Sequence, residues 1–203
     1  MKLYTYERAP NPWRVRAFLA EKGIDVPRVE VDISNGAGRA PEFLGKNSLG
    51  EVPVLELDDG RVITESVAIC RYLEALNPRP SLFGQDPVDQ AKVEMWSRRM
   101  ELHVVGTAAN IALHSFDFFA AKVEQLPEYA ASQRRALANK WAWLDGELAD
   151  GRPFLAGDRF TVADITGMMA LRVGDIVEEP VAADLAHVKR WEEAVRARPS
   201  WDA

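Results

Sequence analysis

Two short stretches carry residues whose types and spacing could hold an anion. In Gly50-Glu51-Val52-Pro53-Val54-Leu55-Glu56-Leu57, a proline opens an apolar run. Pro53 lacks an N–H and so suits the first position of a strand. A cis peptide is cheap only before proline, and one here would turn the Val52 backbone outward. Further on, Glu65-Ser66 opens a helical pattern. Backbone N–H groups, a hydroxyl and the positive end of a helix dipole coincide there, which is the make-up of a carboxylate or phosphate site. The plainer alternative is that Thr64 or Ser66 caps the helix and Pro53 begins the strand.

The elements that position these residues follow from pattern. Val52–Leu57 reads as a strand, Asp58-Asp59-Gly60 as a hairpin turn and Arg61–Thr64 as the returning strand. Ile69, Tyr72, Leu73 and Leu76 then recur at helical spacing, and Asn77-Pro78 stops the helix. Upstream, Lys2–Tyr6 alternates as a strand. Asn11 before Pro12 is the favoured order of N-cap and first helical residue, and Gly23 closes a helix whose stripe is Val15, Phe18 and Leu19. Pro27–Ile33 alternates as a second strand, so the chain opens with a β-α-β unit and a parallel pair. The glycines of Ser34–Arg39 predict a flexible loop, followed by a short helix over Pro41–Leu44.

The V-P-V-L run followed by T-E-S-x-A-I-x-R-Y-L-E resembles the glutathione-binding half of the cytosolic glutathione transferases, and the likeness continues over nearly the whole chain. The resemblance implies a thioredoxin-like α/β N-terminal domain of β-α-β then β-β-α order, followed by an all-α domain. It also implies roles. Val52, before a cis Pro53, would bond the cysteinyl backbone of glutathione. Ser66 and the helix N–H groups would hold the γ-glutamyl carboxylate, with Glu65 toward the amine. Arg39, or failing it Lys46, would approach the glycine carboxylate.

Chemistry in such a site requires the glutathione thiol to ionise, and a free thiol has a pKa of about 8.5. A donor at the start of the first helix, backed by the helix dipole, supplies the stabilisation. The family uses Tyr, Ser or Cys for this. Here Tyr6-Glu7-Arg8-Ala9-Pro10-Asn11-Pro12-Trp13-Arg14 contains neither Ser nor Cys. The N-terminal pattern is theta-, zeta- or omega-like, with Asn11 in the place of the catalytic residue. Asn11 can donate from its amide but cannot form a disulfide, which favours transferase or glutathione-peroxidase chemistry over thiol exchange. Tyr6 and Tyr4 are the rival donors, Tyr6 at the end of the strand close to the site and Tyr4 deeper, toward the core, and a plain N-cap is the alternative role for Asn11. Trp13 and Arg14 would shape the entrance, with core packing and a surface charge as the alternatives.

Arg79–Gln85 reads as a Pro/Gly linker, which divides the chain into a domain over residues 1–78 and a helical one over 86–203. Asp86-Pro87 opens a helix expected to run past Met100 toward Phe116, with Gly106 as a bend or close contact. Leu137, Trp141, Leu144 and Leu148 form another stripe. Thr161 with Asp164 makes a capping box, and Leu185, Val188, Trp191 and Val195 line a last helix. The family places its hydrophobic substrate on the first long helix, where Met95, Arg99, Met100, His103 and Phe116 are candidates, with core packing the alternative for the Met and Phe side chains.

With 203 residues and a net charge of −6, the chain is not composed for nucleic acid, and it contains no membrane-length apolar run. Three dispersed histidines and one cysteine suggest no metal site and no disulfide, as in a cytoplasmic protein. The expected activity is conjugation of glutathione to a hydrophobic electrophile by a homodimer. The alternative is a glutathione- or ligand-carrying protein of the same fold with little catalysis, which the missing Ser or Cys favours.

Overall fold

The computed structural model describes all residues from Met1 to Ala203, and the chain divides into two units, 1–81 with 202–203 and 82–201. The first holds β1 (Lys2–Thr5), α1 (Pro10–Lys22), β2 (Arg28–Glu30), α2 (Pro41–Leu44), β3 (Val54–Glu56), β4 (Val62–Thr64) and α3 (Ser66–Leu76). The sheet order is β2-β1-β3-β4, with β2 parallel to β1 and the other pairs antiparallel. This is the thioredoxin-like arrangement, with β2 an exposed edge strand shorter than its alternation predicted.

Two buried cations tie α3 to α1. Arg14 at the start of α1 donates to Ser66 at the start of α3, at 3.0 Å. Lys22 at the end of α1 pairs with Glu74 near the end of α3, at 2.7 Å. The two helices therefore run parallel and begin at the same end of the unit. Ile69, Cys70 and Leu73 bury the sheet-facing side of α3, whereas Tyr72 is half-buried and Leu76 exposed. The stripe read from the sequence was thus rotated: Ser66 and Cys70 belong to it, because small side chains allow the close approach to α1.

The glycine-rich segment is not a loose loop. It folds as two 3₁₀ turns, Ile33–Asn35 and Ala37–Arg39. A Cβ on Gly38 would sit 2.2 Å from the Gly50 carbonyl oxygen, and one on Gly50, at φ 67°, would sit 2.6 Å from that of Gly38. The glycines serve backbone-to-backbone packing, not flexibility.

The second unit is helical: α4 (Pro87–Arg99), a π-helical segment (Met100–Val105), α5 (Gly106–Ser115), α6 (Pro127–Glu147), α7 (Val162–Ile176) and α8 (Ala186–Arg196). The run to Phe116 expected as one helix is continuous but widened over Met100–Val105, where Gly106 N–H bonds Glu101 O. Thr107 Oγ1 donates to the His103 carbonyl at 2.7 Å within this wider turn. Leu137, Trp141, Leu144 and Leu148, with Val188, Trp191 and Val195, are buried, while Leu185 is half-buried. Asp164 closes the capping box of α7 and also accepts from Leu155 N at 2.9 Å and Trp191 Nε1 at 3.0 Å. Burial pushes its carboxyl up to about 6 against the pull of these donors. No helix is long and apolar enough to cross a membrane.

Candidate active site

One row across the sheet assembles the candidate site. Tyr4 pairs with Val54, and Val54 with Thr64. Past this row the three strands carry Thr5 to Asn11, Val52-Pro53 and Glu65-Ser66, so segments distant in sequence meet at one edge. The starts of α1 and α3 face the same edge, bringing two positive helix ends together.

Val52–Pro53 is cis, and the Val52 N–H and C=O bond no group of the chain. The start of α3 has no side-chain cap, so neither Thr64 nor Ser66 plays the capping role that the plainer alternative assigned. The N–H groups of the first turn therefore have no intrahelical partner. Glu65 precedes them at φ 66°, a left-handed conformation that non-glycine residues adopt at a cost of about 1–3 kcal/mol and that clusters at ligand sites. Ser66 is 6% exposed, and its Oγ accepts from Arg14.

The segment from Tyr6 to Asn11 departs from expectation. Helix α1 begins at Pro10 with Ala9 as its cap, so Asn11 lies inside the first turn and is not the N-cap. The reason is Pro10: a residue before proline is held extended, as Ala9 is at ψ 136°, and the helix starts directly after it. Pro12 still falls among the residues whose N–H has no helical partner. The Asn11 side chain is exposed and unbonded. Tyr6 is half-buried against Tyr4, Val31, Phe43, Val52 and Val54.

The loop is fixed from below by Arg16. Its guanidinium donates to Thr5 Oγ1 at 3.1 Å and Glu7 O at 3.0 Å, and Glu7 N donates to Glu30 Oε1 at 3.0 Å. Sequence reading missed both buried arginines of α1. Arg14 was expected at the entrance or the surface and is 1% exposed instead. Its place one turn before Phe18, on the buried stripe, was the available signal. Trp13 is likewise buried, so it packs in the core and does not line an entrance.

Of the two basic candidates, Arg39 is exposed and lies over Gly50, whereas Lys46 is drawn off by Glu56 at 2.6 Å. In the helical unit Met100 is fully buried and cannot line a surface pocket. His103 does line one, a depression of about 280 Å³ shared with Arg99, Lys140 and Trp143, in which two basic side chains stand beside an indole.

The chain matches the model of the glutathione S-transferase N-terminal domain over residues 1–75 and that of the C-terminal domain over 103–199. It is 35% identical to glutathione S-transferase 2 of Saccharomyces cerevisiae, over 98% of this chain and 87% of that protein. The crystal structure of a glutathione S-transferase domain-containing protein from Marinobacter aquaeolei VT8 superposes with a TM-score of 0.92 at 38% identity, covering 99% of this chain and all of that one. That of Gtt2 from S. cerevisiae gives 0.91 at 34% identity, over 99% and 98% of the two chains. Matches to both domain models and likenesses over nearly the whole chain lead to one conclusion: the chain belongs to the glutathione S-transferase family.

Proposed function

We propose that this glutathione transferase binds glutathione at the edge formed by Val52, Glu65 and Ser66 and conjugates its thiolate to a hydrophobic electrophile. The observation that carries the reading is the uncapped start of α3, whose N–H groups and buried Ser66 hydroxyl suit the γ-glutamyl carboxylate. The unbonded Val52 peptide groups suit the cysteinyl backbone, Glu65 the ligand's amine, and exposed Arg39 its glycine carboxylate. For the thiolate, the exposed Asn11 amide at the positive end of α1 is the donor of choice. Tyr6 is the weaker candidate, since it is half-buried against the cluster of Tyr4, Phe43 and Val52. The active form is a homodimer in the cytoplasm. In support, Val88, Met95 and Leu102 recur every seven residues on one helical run and are 65%, 41% and 65% exposed.

The test is conjugation of an aryl halide together with retention on immobilised glutathione. Wild type binds and turns over. Asn11→Ala lowers kcat about tenfold and moves the pH profile of kcat upward, because the bound thiol loses a hydrogen bond to its anion. Retention without turnover, untouched by Asn11→Ala, would overturn the catalytic half of the reading.

A further inference from the structure

Arg14 is the one fully buried charged side chain that bonds directly to a residue of the anion site. Its Nη1 lies 3.0 Å from Ser66 Oγ, and it is 1% exposed. A guanidinium has only donors, so in this bond the serine oxygen can only accept. The hydroxyl proton must then lie on another side of Oγ, and no acceptor in the chain takes it. Were residue 14 an acceptor, the same hydroxyl could turn its proton inward and present a lone pair to the ligand, which an anion would avoid.

We propose that Arg14 is the positioning residue of the α3 anion site: it fixes the Ser66 hydroxyl as a donor toward the γ-glutamyl carboxylate. The inference rests on the proposed glutathione reading and adds to it the origin of the site's preference for an anion. Two effects act together. The hydroxyl is oriented before the ligand arrives, so no rotor is frozen on binding. A positive charge also stands behind the helix start, in an interior that screens it less than water does. The reach of that charge along α3 is visible one turn further on. At Cys70 it pulls the thiol pKa down, although burial outweighs it and leaves the thiol at about 12.

The experiment compares wild type, Ser66→Ala, Arg14→Met and the double variant by calorimetric affinity for two ligands. These are glutathione and its analogue with the γ-glutamyl α-carboxylate replaced by a carboxamide. Each single change is expected to weaken glutathione binding about tenfold, the scale of one charge-assisted hydrogen bond, and the double variant to be no weaker than about twofold below the worse single. The analogue is expected to bind wild type and Arg14→Met within about twofold of each other, because it offers no anion to the hydroxyl. Additive losses in the double variant, or an equal loss of both ligands on Arg14→Met, would make Arg14 merely structural and overturn the proposal. If Arg14→Met does not fold, Arg14→Gln replaces it in the same cycle, removing the charge and offering the Ser66 hydroxyl an acceptor. Wild type that fails to bind glutathione at all would overturn the glutathione reading itself, a result separable from every outcome above.

Discussion

Glu56 shows how a single side chain decides which basic residue is available to a ligand. It accepts from Lys46 Nζ at 2.6 Å and Tyr4 Oη at 2.8 Å, and pairs with Lys2 at 3.2 Å. These donors, Lys46 foremost, hold its carboxyl at about 2, below the ordinary 4.5. A carboxyl depressed on folding stabilises the protein above its unfolded pKa, and that contribution is lost as pH falls from about 4.5 toward 2. Urea midpoints at pH 5.5 and pH 3 should therefore differ more in wild type than in Glu56→Gln. The same substitution releases Lys46. Trp13 illustrates the opposite fate of a residue first placed at the entrance: buried as it is, Trp13→Ala should cost about 3–5 kcal/mol by chemical denaturation. A residue contacting only ligand would leave stability nearly unchanged.

Elements were more legible than the contacts among them. Hairpin, β-α-β unit and capping box are local, and each announces itself through turn residues, alternation or a short fixed spacing. The capping box makes a sharp prediction. Asp164→Ala strands the donors of Thr161, Leu155 and Trp191, and should destabilise by about 3 kcal/mol or more, whereas Thr161→Ala should cost about 1 kcal/mol. Both are measured as shifts in thermal or urea midpoint. What stayed hidden is non-local. Nothing near Gly38 says that Gly50 will press against its backbone, and nothing near Arg14 says that a serine far along the chain will accept its hydrogen bond. The start of α1 was misplaced for a local reason: two prolines compete for the first turn, and the earlier one wins by fixing Ala9. Widening of the helix at Met100–Val105 has no sequence signature beyond Gly106.

For the molecule as a whole, the stripe of Val88, Met95 and Leu102 gives the dimer proposal a direct check. Met95→Glu with Leu102→Glu places charge on it, and light scattering should then report a monomer where wild type gives twice the mass. Both chains should retain their helical circular dichroism, because these side chains lie outside the core. The burial of Cys70 has a different bearing. It is the single cysteine of the chain, fully enclosed, with its sulfur held protonated. The folded surface therefore presents no thiol, and thiol-directed electrophiles find no cysteine to attack until the chain opens. Incubation with iodoacetamide should leave the native mass unaltered and add one carbamidomethyl group only after the chain is unfolded.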